Sequence, residues 1–111
     1  MITTHVLDTA AGKPGRHIPI TLERATPDAG WMLVGTGKTD DDGRLRTLTP
    51  AGPVEVGTYR LRFATAEYAV ATGQPCFFPV VEIQFAVVDG AQHYHVPLLL
   101  SPFGYATYRG S

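Results

Sequence analysis

Short apolar runs, broken at close intervals by glycine, proline and aspartate, narrow the fold of this chain more than any other feature. With 12 Gly and 9 Pro in 111 residues, there is little room for helices, whereas strands of about 5–6 residues fit between the breaks. Three runs alternate with the period of a half-buried strand. Ile18, Ile20 and Leu22 alternate with Pro19, Thr21 and Glu23; Tyr59, Leu61 and Phe63 with Arg60 and Arg62; and Val81, Ile83, Phe85 and Val87 share a face. Further extended segments are expected at Ile2–Leu7, Trp31–Thr39, a short piece from Arg44, and Gln92–Leu100. Pro19 predicts an edge position for its strand, Gly35 and Gly37 a strand kink, and Asp89-Gly90 a hairpin joining the last two runs. Thr65–Thr72 is the one helix candidate, with Thr65 as N-cap and Gly73 as its stop. The expected class is all-β: a two-sheet β-sandwich of about eight short strands with one short helix, a small barrel being the competing shape.

The length suits a single domain, residues 1–111, with no internal repeat or linker. Nine basic and ten acidic side chains give a net charge of -1 without a basic run, so nucleic acid and anionic membranes are not expected partners. No apolar run reaches the ~20 residues of a membrane span, and the start, Met-Ile-Thr-Thr-His, lacks the pattern of a secretory signal; a cytoplasmic location is expected. The single cysteine, Cys76, excludes an internal disulfide and a multi-thiolate metal site. Beside Pro75 and two phenylalanines it is expected to be buried and inert.

The chemistry-bearing residues concentrate near the end of the chain. His93 to Ser111 carries two histidines, three tyrosines, an arginine and two serines, and reads as a strand that docks at a specific place. His93 and His95 project to one face of a strand, and His5 as a third ligand would complete an open zinc site. Alternatively, His5 or His95 could take a proton from water, Arg44 could stabilise an oxyanion, and Ser111 could orient the nucleophile. Those residues are far apart in sequence, so only the fold or an assembly can unite them. Three other segments carry no such chemistry. Gly35-Thr-Gly37-Lys38 lacks phosphate-loop spacing, Ser101 lacks a nucleophile elbow, and Asp40-Asp41-Asp42 lacks the later ligands of a calcium loop.

The segments Thr4-His-Val-Leu-Asp-Thr-Ala10, Thr39-Asp-Asp-Asp-Gly-Arg44 and His93-Tyr-His-Val-Pro-Leu-Leu-Leu-Ser-Pro-Phe-Gly-Tyr-Ala-Thr-Tyr-Arg-Gly-Ser111 resemble the transthyretin-like 5-hydroxyisourate hydrolase family over essentially the whole chain. The terminal Tyr-Arg-Gly-Ser is the motif that separates the enzymes from the carrier transthyretin. The resemblance implies an eight-stranded sandwich and a homotetramer with active sites at the dimer–dimer interface. It also implies hydrolytic opening of 5-hydroxyisourate to 2-oxo-4-hydroxy-4-carboxy-5-ureidoimidazoline without cofactor or metal. It places catalytic roles on His5, Arg44, His95 and Ser111, and substrate binding on Tyr108, Arg109 and Gly110; His93 is not a matched position. Val80, where relatives often carry an acidic residue, and Cys76 depart from the family pattern outside those positions. The other readings to weigh are a carrier that binds a small aromatic ligand in the same channel and a zinc-dependent hydrolase built on His93 and His95.

Overall fold

A computed structural model describes all 111 residues. The strands are β1 (Ile2–Asp8), β2 (Lys13–Pro14), β3 (Pro19–Ala25), β4 (Trp31–Lys38), β5 (Arg44–Leu45), β6 (Gly57–Phe63), β7 (Val81–Val87), β8 (Tyr94–Ser101) and β9 (Gly104–Thr107), with one helix, α1 (Thr65–Thr72), between β6 and β7. They form a sandwich. One sheet has the order β2-β1-β8-β9, with β5 also pairing β1; the other has the order β4-β3-β6-β7. The count is nine because two of the strands are only two residues long, each pairing with part of β1.

The alternation read from the sequence determines which side chains fill the space between the sheets. Ile18, Ile20, Leu22, Tyr59, Leu61, Phe63, Val81 and Val87 are all buried, and from the first sheet they meet Ile2, Val6, Val96 and Leu98. Full burial of a side chain of this size contributes about 1.5–3 kcal/mol. Arg60 and Arg62 face outward, where Arg60 pairs with Glu23 at 2.8 Å and Arg62 with Glu82 at 2.7 Å.

Four local expectations are corrected. The Asp89-Gly90 turn does not close a hairpin, because β7 and β8 belong to different sheets. The Tyr94 hydroxyl accepts the amides of Val88 and Asp89, both at 3.1 Å, and this tyrosine anchor steers the chain across the sandwich. β3 is interior rather than an edge; Pro19 is its first residue, where a missing N–H interrupts little of the ladder. Thr65 does not cap α1: the cap is Ala64, and the Thr65 hydroxyl donates to the Phe78 carbonyl. Cys76 is exposed, because the whole run from Pro75 to Val80 between α1 and β7 is exposed, its phenylalanines included. Gly73 does close the helix as read, and a bulge in β4 beside Gly35 supplies the expected irregularity. No helix is long and apolar enough to cross a membrane.

One buried carboxylate ties the helix to the first sheet. Asp8, 2% exposed, accepts hydrogen bonds from the Tyr68 hydroxyl at 2.6 Å, Gln74 Nε2 at 2.8 Å and the Ala11 amide at 2.9 Å. Burial alone pushes its carboxyl up, but these donors outweigh it and hold the carboxyl below its ordinary range; burial and Asp8 together push the Tyr68 phenol up. Replacing Asp8 by Ala is expected to lower stability by about 1.5–3 kcal/mol in urea unfolding. Because the folded-state pKa is depressed, the carboxylate's contribution is present above its unfolded value and lost below it. The gap between native chain and variant therefore narrows as the pH falls below about 4.

Candidate active site

β1 runs parallel to β8, with Thr3 beside His95 and His5 beside Pro97, and antiparallel to β5, with His5 opposite Arg44. On the far side of β8 the chain returns, and Gly110 makes a bridge to His95, its amide donating to the His95 carbonyl at 2.8 Å. Four segments thus lie side by side, and residues as distant as His5, Arg44, His95 and Gly110 occupy adjacent positions across one sheet. In β1, Ile2, Thr4 and Val6 share one face, while Thr3, itself buried, and the half-buried His5 share the opposite one. His93 and His95 share a face of their segment by the same rule.

The acidic turn is what presents Arg44. Asp40 Oδ1 accepts the amides of Asp42 and Arg44, both at 2.9 Å, and the bond from the Arg44 amide leads the effects that hold the Asp40 carboxyl below its ordinary range. Gly43 then adopts φ 75°, and a Cβ there would lie 2.5 Å from the Val6 carbonyl oxygen, so only glycine allows the turn to press against β1. The carbonyl of Gly43 receives the Val6 amide at 2.8 Å, which locks β5 in register.

Outside this face of the sheet lies a cavity of about 190 Å³ lined by Thr3, Arg44, Arg46, His93, His95 and Ser111 among others. His5 stands beside it, its ring 6.5 Å from that of His95. His5 Nε2 lies 3.1 Å from the Asp42 carbonyl oxygen, which can only accept, so that nitrogen carries the proton and Nδ1 keeps its lone pair. Burial lowers the pKa of His5, and the Arg44 charge lowers it further. Burial also lowers that of His95, with added repulsion from His5, Arg44 and His93. Both rings are therefore held neutral at pH 7 and can accept a proton. The arginines differ: Arg46 lies 3.5 Å from Asp40, whereas the Arg44 guanidinium has no carboxylate within ion-pair distance. Arg44 is thus a cation available to an anionic guest.

The terminal motif divides. Ser111 lines the histidine cavity and Gly110 bridges to His95, but Tyr108 and Arg109 line a separate groove of about 210 Å³ near Phe85 and Val96. There the Arg109 guanidinium lies 4.3 Å above the Tyr94 ring and donates to Gln92 at 2.8 Å. Within one chain Arg109 anchors the tail on Tyr94 and Gln92, and Tyr108 lies in the same groove rather than in the cavity of His95. At Gly110 an added Cβ would lie 2.7 Å from His95 Cδ2. Gly110→Ala is expected to displace the tail or the ring and to lower kcat/KM by up to about 10²-fold at unchanged Tm, as small misplacements do; initial rates paired with thermal melts check this.

The other sequence candidates lie elsewhere or are otherwise engaged. His93 Nε2 and His95 Nδ1 both approach the Thr3 hydroxyl, at 2.7 Å each, and no three His, Cys, Asp or Glu side chains are gathered as a metal requires. His17 pairs with Asp41 at 2.9 Å, and Ser101 donates to the Gly104 carbonyl in the β8–β9 turn. The residue that sequence reasoning missed is Thr3. Its only signal was position i-2 to His5, and its meaning depended on the β1–β8 register.

Residues 2–110 match the model of the HIUase/Transthyretin family. The 5-hydroxyisourate hydrolase of Salmonella typhimurium is 41% identical over 111 residues, covering all of this chain and 81% of that protein. The mouse 5-hydroxyisourate hydrolase is 45% identical, covering 99% of this chain and 94% of the relative. Among solved structures, Klebsiella pneumoniae 5-hydroxyisourate hydrolase superposes with a TM-score of 0.85 at 31% identity, covering 99% and 97% of the two chains. Sea bream transthyretin in complex with thyroxine gives 0.91 at 33% identity, covering 98% and 93%.

Proposed function

Because the chain belongs to the HIUase/Transthyretin family, we propose that it acts as a 5-hydroxyisourate hydrolase, opening the ring to 2-oxo-4-hydroxy-4-carboxy-5-ureidoimidazoline. The observation that carries this reading is the strand row that brings Arg44 and His95 to one cavity with the terminal Ser111, with His5 beside it. A carrier has no use for two neutral histidines beside an unpaired guanidinium; a hydrolase has a use for each.

His95, with His5, orients a water molecule and takes a proton from it as its oxygen bonds to a ring carbonyl carbon. Arg44 receives the negative charge that develops on the carbonyl oxygen. The C–N bond then breaks, the leaving nitrogen takes a proton back from the histidine pair, and the new carboxyl group ionises. Ser111 holds the substrate at the open side of the site, and Gly110 lets the tail lie against His95. Proton transfer and oxyanion stabilisation are each typically worth ~10²-fold or more. No step requires a metal or a cofactor.

The reading extends to assembly. One chain supplies a cavity of about 190 Å³, below the ~300–1,000 Å³ of most ligand pockets, and a second chain facing it would complete the enclosure. The strands β7 and β9 are each at an edge of their sheet, with exposed Val88, Phe103 and Tyr105 in or next to them. Unpaired edges invite strand addition. A homotetramer whose active sites lie between dimers satisfies both features, and in it Tyr108 and Arg109 serve binding by fixing the tail. We assign this activity to residues 1–111 as a single domain and place it in the cytoplasm.

The test generates 5-hydroxyisourate in place with urate oxidase and follows its ultraviolet absorbance with and without the protein, in chelator. Faster loss of the absorbance supports the hydrolase. A rate equal to spontaneous decay overturns it and leaves the carrier reading, and activity that depends on added metal returns the zinc one.

A further inference from the structure

Thr3, 3% exposed, is placed between two histidines: its Oγ1 lies 2.7 Å from His93 Nε2 and 2.7 Å from His95 Nδ1. A hydroxyl has one proton to give. Between two neutral imidazoles it must accept from one and donate to the other, so the three groups form a chain that can run in only two directions. If Thr3 donates to His95 Nδ1, the proton of His95 sits on Nε2 and the ring has no lone pair left for base work. If Thr3 accepts from His95 Nδ1–H, its own proton goes to His93 Nε2 and His95 Nε2 is left bare. Only the second direction gives the ring a basic nitrogen on the side away from Thr3.

We propose that Thr3 and His93 are positioning residues that set the tautomer of His95 through the chain His95 Nδ1–H to Thr3 Oγ1–H to His93 Nε2. The proposal rests on the hydrolase reading for its consequence, but not for its geometry. His95 is partly buried and His93, which lines the same cavity, is exposed, so the chain ends on a ring in contact with solvent. When His95 Nε2 has taken a proton from water, the Nδ1 proton can pass to Thr3 as the Thr3 proton passes to His93. His95 is then neutral with its proton on Nε2. Reversal of the same two transfers refills Nδ1 when Nε2–H is given to the leaving nitrogen. The carboxyl proton of the product is lost to bulk water and does not pass through the chain, which therefore ends each cycle in the direction in which it began.

The test has two arms. In substrate-free, 15N-labelled protein, long-range proton–nitrogen spectra read the tautomer of His95. The expected result is Nδ1–H in the native chain and in Thr3→Ser, and Nε2–H in Thr3→Val. In the assay, Thr3→Val is expected to lose ~10–100-fold in kcat with KM unchanged, as loss of a group that orients a working histidine does, and Thr3→Ser to restore most of it. His93→Phe, which changes an exposed side chain, should shift the tautomer and lower kcat the same way, and it decides the matter if Thr3→Val does not fold. An Nε2–H tautomer in the native chain, or native kcat in Thr3→Val or His93→Phe, overturns the proposal while leaving the hydrolase intact. A native chain with the Nδ1–H tautomer and no turnover overturns the hydrolase reading instead.

Discussion

His95→Ala lowers kcat/KM for 5-hydroxyisourate by about 10²–10⁴-fold, the span that a positioned general base contributes. Three observations set this expectation. The ring lines the cavity, burial with four nearby basic groups favours its neutral form, and its Nδ1 is engaged by Thr3, which leaves Nε2 free. The loss should fall mainly on kcat, since the role proposed for the imidazole is on water rather than on substrate affinity. The fold should survive, because the backbone bonds of His95 in β8, including the one it accepts from Gly110, remain. Steady-state rates with circular dichroism on the same samples check both halves. Native-like activity in a folded His95→Ala chain would remove the proposed base.

Arg44→Gln is expected to cost about 10²–10³-fold in kcat/KM, the usual penalty for deleting one donor to a developing oxyanion. Its guanidinium has no carboxylate to release, so the substitution leaves no buried anion behind and should change stability little. A second signature distinguishes it from a structural effect. Arg44 contributes to lowering the pKa of both His5 and His95, so its removal should raise both and shift the acid limb of activity toward neutral pH. A drop in rate without that shift would confine Arg44 to binding the ring.

The two-residue periodicity of the core strands was legible in the sequence because it reflects burial on one face, a local property of β3, β6 and β7. Pairing partners were not. Asp89-Gly90 has the chemistry of a hairpin, yet β7 and β8 part into different sheets, a choice made by the packing of Tyr94 and not by the turn. Likewise, Thr65 has a capping side chain, but a carbonyl brought close by the loop after the helix competes for it. Within the site, residue types and family likeness pointed to His5, Arg44 and His95, while their adjacency depends on a parallel pairing between the first and eighth strands. Sequence spacing has no access to that register, which is why Thr3 went unnoticed.

The pH dependence of kcat/KM for the native chain tests the central claim most directly, because it reports the protonation of the free enzyme's essential groups. If neutral His95 and His5 do the work, activity holds level as the pH falls through 6.5, the ordinary histidine value, and declines only below it, where the lowered pKa values lie. The sign is fixed: protonation removes the base, so the limb must fall toward acid. Activity that rises as the pH falls through this range, or a limb centred above 6.5, would contradict the account.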